Sequence, residues 1–205
     1  NASPFASTMV FVVRKGNPKG IKDWADLDQK GLNIVAPNWK TTGNGRFSWL
    51  SAWAWSQSRP GASKDATIRW LAGVLGNIPV FANGGRDATN LFDQRQQGDV
   101  LLTFEAEARQ LQALKPSEYQ VVTPSFGILT RVYAATLEKV AKANGTSALA
   151  RAYWDYVFGP AGQDIAPRNY FRPNHPEVAR RYKDQLPDLE LVEFEKVFGS
   201  WEQVE

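Results

Sequence analysis

Two short glycine-rich loops, each set between an apolar strand-like run and a helix-like run, constrain this chain more than any other feature. The first follows Gly31-Leu32-Asn33-Ile34-Val35-Ala36 and reads Thr41-Thr42-Gly43-Asn44-Gly45-Arg46, leading into an aromatic-rich stretch from Phe47 to Trp55. The second follows Ile78-Pro79-Val80-Phe81 and reads Asn83-Gly84-Gly85-Arg86-Asp87, leading into Ala88 to Gln97. A strand that ends in glycines and opens a helix leaves backbone N–H groups without intrahelical partners, at the positive end of the helix dipole. Such donors hold anions, and glycine also serves as an ordinary tight turn. In an open α/β sheet both loops fall at the carboxyl ends of strands, where such folds bind ligands.

The rest of the chain fits that frame. Thr8–Arg14 is a β-branched apolar run that reads as a buried strand. The spacing predicts strands at Leu32–Ala36, Pro79–Phe81, Val100–Phe104, Gln120–Val122 and Val132–Ala135. It predicts helices at Asp23–Leu27, Phe47–Ser58, Asp65–Leu75, Ala88–Gln97 and Ala106–Leu114. From Glu138 the pattern turns helical, with Leu149, Tyr153, Tyr156 and Val157 on one face of Ser147–Phe158 and Ser147 as its N-cap. Pro167–Pro173 reads as an irregular aromatic loop. Strands alternating with helices imply an α/β fold with a mainly parallel sheet.

Several function classes lose support. The net charge is +3 with the 24 Lys and Arg scattered, so the basic stripe of a nucleic-acid binder is missing, while approach of small anions is favoured. Neither loop carries Gly-x4-Gly-Lys-Ser/Thr or Gly-x-Gly-x-x-Gly, which argues against a nucleotide. There is no Cys and one His, His175, in a loop between prolines, where a surface position is expected. No metal site can be assembled around it, no catalytic residue is assigned, and no cofactor is implied. Glu105 and Glu107 could share a strand face as paired carboxylates, but acids at that position more often open a helix. Arg46 and Arg86 could each reach an anion or serve as surface ion-pair residues. Trp49 and Trp53 share a helix face, usually a core face. Asn1-Ala2-Ser3 and Asn144-Gly145-Thr146 match the glycosylation pattern. No run approaches the length of a membrane span.

On Ser7–Lys19, Pro37–Asn44, Gly84-Gly85-Arg86 with Ala88-Thr89-Asn90, Gly98–Leu101 and Phe198-Gly199-Ser200-Trp201, the chain resembles the periplasmic sulfate- and thiosulfate-binding proteins of bacterial uptake transporters. Gly43-Asn44 and Phe104-Glu105 look closer to the thiosulfate branch. The resemblance implies a type II solute-binding architecture of two α/β lobes closing on a dehydrated oxyanion, a periplasmic location, and an inner-membrane ABC transporter permease as partner. Carried over, Thr42 offers its hydroxyl, Gly43 and Asn44 their N–H groups, Gly85 a further N–H, and Arg86 lies beside it. Phe104 stands where the sulfate branch has a donating tryptophan.

The family's opening stretch, with a further Gly-Ser-Gly anion loop, is not in this sequence, nor is a short stretch after Glu205. The resemblance therefore implies an N-terminally truncated chain. Residues 9–125 form the second lobe with the anion loops, and 126–205 with 1–8 form the crossover and the helical part of an incomplete first lobe. The apolar face meant for the missing part is expected to be exposed or paired with another chain. Sulfate and thiosulfate, without protons at neutral pH, want donors only. Phosphate wants an acceptor, for which Asp87 is the acid beside a loop. Molybdate, a non-binding fragment and an ester-cleaving enzyme are the rivals, the last lacking an evident nucleophile or metal.

Overall fold

Alternation along the second strand sets the layers of the larger unit. Met9, Phe11 and Val13 enter one apolar cluster, and Val10 and Val12 enter another. Successive side chains on a strand point to opposite faces, so both faces of this sheet are covered.

The computed structural model describes residues 2–204. Asn1, and with it the first glycosylation pattern, lies outside the described residues, as does Glu205. The elements are β1 (Phe5–Ser7), β2 (Met9–Arg14), β3 (Ile34–Pro37), α1 (Gly43–Ser58), α2 (Lys64–Gly76), β4 (Phe81–Ala82), α3 (Gly85–Asp93), β5 (Val100–Phe104), α4 (Glu105–Leu114), β6 (Tyr119–Val122), β7 (Gly127–Val132), α5 (Glu138–Ala143), α6 (Ser147–Phe158), α7 (Pro160–Arg168), β8 (Arg172–Pro173), α8 (Pro176–Arg181), β9 (Leu191–Glu193) and α9 (Phe194–Phe198). The chain divides into two compact units. One comprises Thr8–Leu129 with the residues from Glu190 onward, and the other comprises the residues up to Ser7 with Thr130–Leu189.

The larger unit holds a five-stranded sheet in the order β4-β3-β5-β2-β6. β3 pairs parallel with β4 and β5, whereas β2 pairs antiparallel with β5 and β6. The expectation of a mainly parallel sheet is therefore corrected to a mixed one. A central strand buried on both faces is an apolar run whatever its direction, so Met9–Val13 does not reveal that it runs against its neighbours. On one face Ala52, Trp55, Leu71 and Val74 pack with Trp24, whose indole N–H donates to Phe126 O at 2.9 Å. On the other face Ala88, Phe92, Ala108 and Leu111 pack against Val35 and Leu101. Truncating a fully buried aromatic such as Trp24 or Phe92 costs about 3–5 kcal/mol.

The far end of α3 is clasped. The Arg14 guanidinium donates to the carbonyls of Phe92, Gln97 and Gly98 at 2.9–3.2 Å and lies 3.9 Å over the Phe92 ring. Asp93, the last residue of α3, accepts from Lys115 Nζ at 2.7 Å and from the Tyr119 hydroxyl at 2.8 Å. Burial pushes the Asp93 carboxyl up. The hydrogen bonds from Lys115 and Tyr119, with the charges of Lys115 and Arg14, outweigh it and hold the group below the ordinary carboxylate range.

In the smaller unit β1 pairs antiparallel with Thr130–Val132 of β7 and with β8. Gln163, fully buried, ties it together: its amide donates to Pro4 O and Val157 O, and its oxygen accepts from the N–H groups of Asn174 and His175. Helices α6 and α7 approach so closely that a Cβ on Gly162 would run into the Tyr156 carbonyl.

Element ends differ from the sequence expectations in instructive ways. The strand expected at Val132–Ala135 is Gly127–Val132, and the one expected at Pro79–Phe81 is Phe81–Ala82. The residue before Ser147, Thr146, is the N-cap of α6 and makes no side-chain cap bond. The apolar face of α6 is not core in this chain: Leu149 is 70% exposed and Tyr153 57%. The Pro167–Pro173 loop contains the end of α7 and all of β8. His175 is half-buried rather than on the surface, because the chain turns there into α8 against Gln163.

Candidate functional site

Both glycine-rich loops belong to helices. α1 begins at Gly43, four residues before the expected Phe47, and α3 begins at Gly85, three before Ala88. The reason at the first loop is a cap. Thr42 is extended, at φ −131° and ψ 143°, and its Oγ1 accepts from Gly45 N–H at 2.9 Å. The Thr42 hydroxyl in turn donates to Asn38 O at 2.8 Å, so its single proton is committed within the loop. The N–H of Arg46 makes the first intrahelical bond, to Thr42 O. The N–H groups of Gly43 and Asn44 make no hydrogen bond among the described residues.

At the second loop Gly84 caps α3 without a side chain. The first helical bond runs from Ala88 N–H to Gly84 O, leaving the N–H groups of Gly85, Arg86 and Asp87 without partners among the described residues. The Asp87 carboxylate accepts from Asn83 N–H at 2.9 Å, engaged by its own loop. Arg86 is exposed, and so is Arg46.

The fold joins these two helix starts. Both follow the carboxyl ends of parallel neighbours, β3 and β4, and a backbone bond from Asn38 N–H to Ala82 O, 2.8 Å, links the two loops. The Asn44 side chain lies against Gly85: a Cβ there would sit 2.6 Å from Asn44 Nδ2. A side chain at 85 would have to displace the Asn44 amide, whereas the backbone angles there do not call for glycine. Gly45 is more tightly held, since a Cβ would fall 2.5–2.6 Å from the backbone of Pro37 and Asn38.

A third helix start completes the end of the sheet. α4 follows β5, the other parallel neighbour of β3, and carries Glu105 and Glu107 in its first turn, as helix-opening acids do. Glu105 is fully buried and bonded to Arg109 at 2.9 Å, and its N–H donates to Thr8 O at 2.8 Å. Glu107 accepts from the Thr103 hydroxyl and, at 3.4 Å, from Asn44 Nδ2. Phe104, at the turn between β5 and α4, packs 6.2 Å from Phe47 and brings no donor. Sequence reasoning missed that Glu107 stands between the loops. It is 63 residues from Asn44, and no local signal could place it there.

Of the residues expected to bind a ligand, Asn44 and Gly85 are thus in contact, with Gly43 and Arg86 their chain neighbours and Thr42 the cap. Among the described residues no cluster of His, Asp or Glu is arranged to hold a metal, and no helix is long and apolar enough to cross a membrane.

Comparison with known proteins gives this geometry a context. Residues 1–172 match the family of bacterial extracellular solute-binding proteins. The whole chain is 42% identical to a thiosulfate-binding protein of Escherichia coli K12, and 98% of it is 38% identical to a sulfate-binding protein of Salmonella typhimurium LT2. It spans 61% of the length of each. The sulfate-binding protein SubI of Mycobacterium tuberculosis H37Rv superposes on all of this chain with a TM-score of 0.81 at 28% identity, and 69% of that protein is covered. The chain, an α/β periplasmic-binding-protein fold with mixed sheets, belongs to the non-enzymatic bacterial extracellular solute-binding protein family and within it resembles the sulfate- and thiosulfate-binding members.

Proposed function

We propose that this chain carries the anion-binding loops of a periplasmic receptor for thiosulfate or sulfate that delivers its ligand to an ABC permease in the inner membrane. The observation that carries this is the meeting of two helix starts with unspent N–H groups, those of Gly43 and Asn44 beside those of Gly85 and Arg86. Converging backbone donors at helix N-termini stabilise a dianion without a counter-cation. Thr42 acts through the loop: its hydroxyl holds Asn38 O and Gly45 N–H and so fixes where the two free N–H groups point. The backbone N–H set favours sulfate and thiosulfate, which need donors only, over hydrogenphosphate, and the Asp87 carboxylate accepts from Asn83 N–H within its own loop.

The domains follow the same proposal: residues 9–125 as the lobe bearing the loops, and 126–205 with 1–8 as part of an incomplete first lobe. We also propose that the apolar face of the smaller unit self-associates in this chain. Titration of the 205-residue chain with thiosulfate, sulfate and phosphate, followed by amide NMR, tests the ligand. Thiosulfate and sulfate should move the resonances of Gly43, Asn44 and Gly85 saturably, and phosphate should leave them unmoved. Absence of saturable shifts with both sulfur oxyanions, or a preference for phosphate, would overturn the proposal.

A further inference from the structure

Glu107 is a carboxylate seated between the two loops, and the donor set described above leaves it without a role. Its Oε2 lies 3.4 Å from Asn44 Nδ2, and a Cβ on Gly85 would be 3.2 Å from it. No cation among the described residues lies within ion-pair distance of it. Its compensation is dipolar: the Thr103 hydroxyl, the Asn44 amide and the first turn of its own helix. Asn44 shows how strongly this group directs its surroundings. The residue is 9% exposed, and its Oδ1 is buried with no partner. Reversing the amide would set that oxygen against the carboxylate, so the nitrogen faces Glu107 and the oxygen goes unsatisfied.

Resting on the anion-binding function above, we propose that Glu107 is a specificity-determining residue: a resident carboxylate beside the loops that penalises a bound dianion more than a monoanion of the same shape. The warrant is Coulombic. The positive ends of the helices at Gly43, Gly85 and Glu105 serve both the carboxylate and the ligand, and the carboxylate repels the ligand in proportion to ligand charge. Glu107 is half-buried, so solvent screens the repulsion in part without removing it. The receptor thereby gives up affinity for sulfate-like dianions and holds them less tightly than its donors alone would.

The substitution Glu107→Gln keeps an oxygen acceptor for Thr103 and Asn44 and removes the charge. It should tighten sulfate and thiosulfate binding by about three- to tenfold. Perchlorate, tetrahedral like sulfate but singly charged, should gain only about the square root of that factor, roughly two- to threefold, because the repulsion is linear in ligand charge. Glu107→Met, neutral and incapable of the two hydrogen bonds, gives the same ordering of dianion over monoanion if Glu107→Gln does not fold. NMR titration of the chain with sulfate, thiosulfate, perchlorate and phosphate measures all four. A larger gain for the dianions supports the role. Equal changes for dianion and monoanion, or weaker dianion binding, overturn it and leave Glu107 a structural acid. Phosphate binding that appears in the wild type and vanishes in Glu107→Gln also overturns it, since the carboxylate would then be an acceptor. If neither protein responds to sulfate or thiosulfate at all, the anion-receptor function itself fails, and this role falls with it.

Discussion

Gly43 and Gly45 are two residues apart in one loop and stand in opposite situations. A Cβ at Gly43 meets nothing within 4 Å, whereas one at Gly45 runs into the backbone of Pro37 and Asn38. Backbone cannot give way as a side-chain tip can. Gly45→Ala should therefore cost about 1–3 kcal/mol, as over-packing does. Gly43→Ala should be neutral or stabilising by about 0.4–1 kcal/mol, through the unfolded chain. Thermal melts of the two variants check this, and similar melting points would contradict it. The sequence shows both positions as glycine and gives no sign of which one the fold requires. Thr42 is a similar case: nothing in its sequence neighbourhood announces that its hydroxyl donates to the Asn38 carbonyl and accepts from Gly45 N–H.

Helix α3 is held at its far end by charge as well as by packing. The Asp93 carboxyl lies below its ordinary range in the folded chain, so it contributes stability at pH values above the unfolded carboxyl's titration. That contribution is lost as the pH falls through the lower, folded-state value. Asp93→Asn should lower the melting temperature at neutral pH by about 2–4 °C. The gap should close in acid, where both chains carry a neutral group. A gap unchanged with pH would mean that Lys115 and Tyr119 hold this residue without regard to its charge. At this scale much was legible. Val100–Phe104 and Ser147–Phe158 coincide with the expected spans, because Gly98-Asp99 precedes the first and Asn144-Gly145 and Gly159-Pro160 flank the second. Helix starts were less legible. Glycine reads as loop, and the bond from Gly45 N–H to Thr42 Oγ1 draws Gly43–Arg46 into α1.

At the scale of the whole molecule, the chain spans 61% of the length of the Escherichia coli thiosulfate-binding protein it matches. Its smaller unit exposes Leu149, Tyr153 and Tyr156 beside a groove of about 480 Å³ lined by Phe5, Trp154 and Phe171. Contiguous exposed apolar surface of this kind drives association. Sedimentation of the 205-residue chain should show concentration-dependent self-association, relieved by Leu149→Glu together with Tyr153→Glu. A monomer at every concentration would show that this face does not join copies of the chain.

The sequence by itself determined the layered α/β plan, the two glycine-rich helix starts and the absence of thiol chemistry, because periodicity, turn residues and composition are local properties. It also carried the family, since the matching segments run along nearly the whole chain. Only the tertiary structure decided that β2 runs against its neighbours, that Asn44 meets Gly85, and that Glu107 stands beside both. Strand direction and contacts between residues tens of positions apart depend on how the chain returns to one end of a sheet. No local pattern of residues encodes that return.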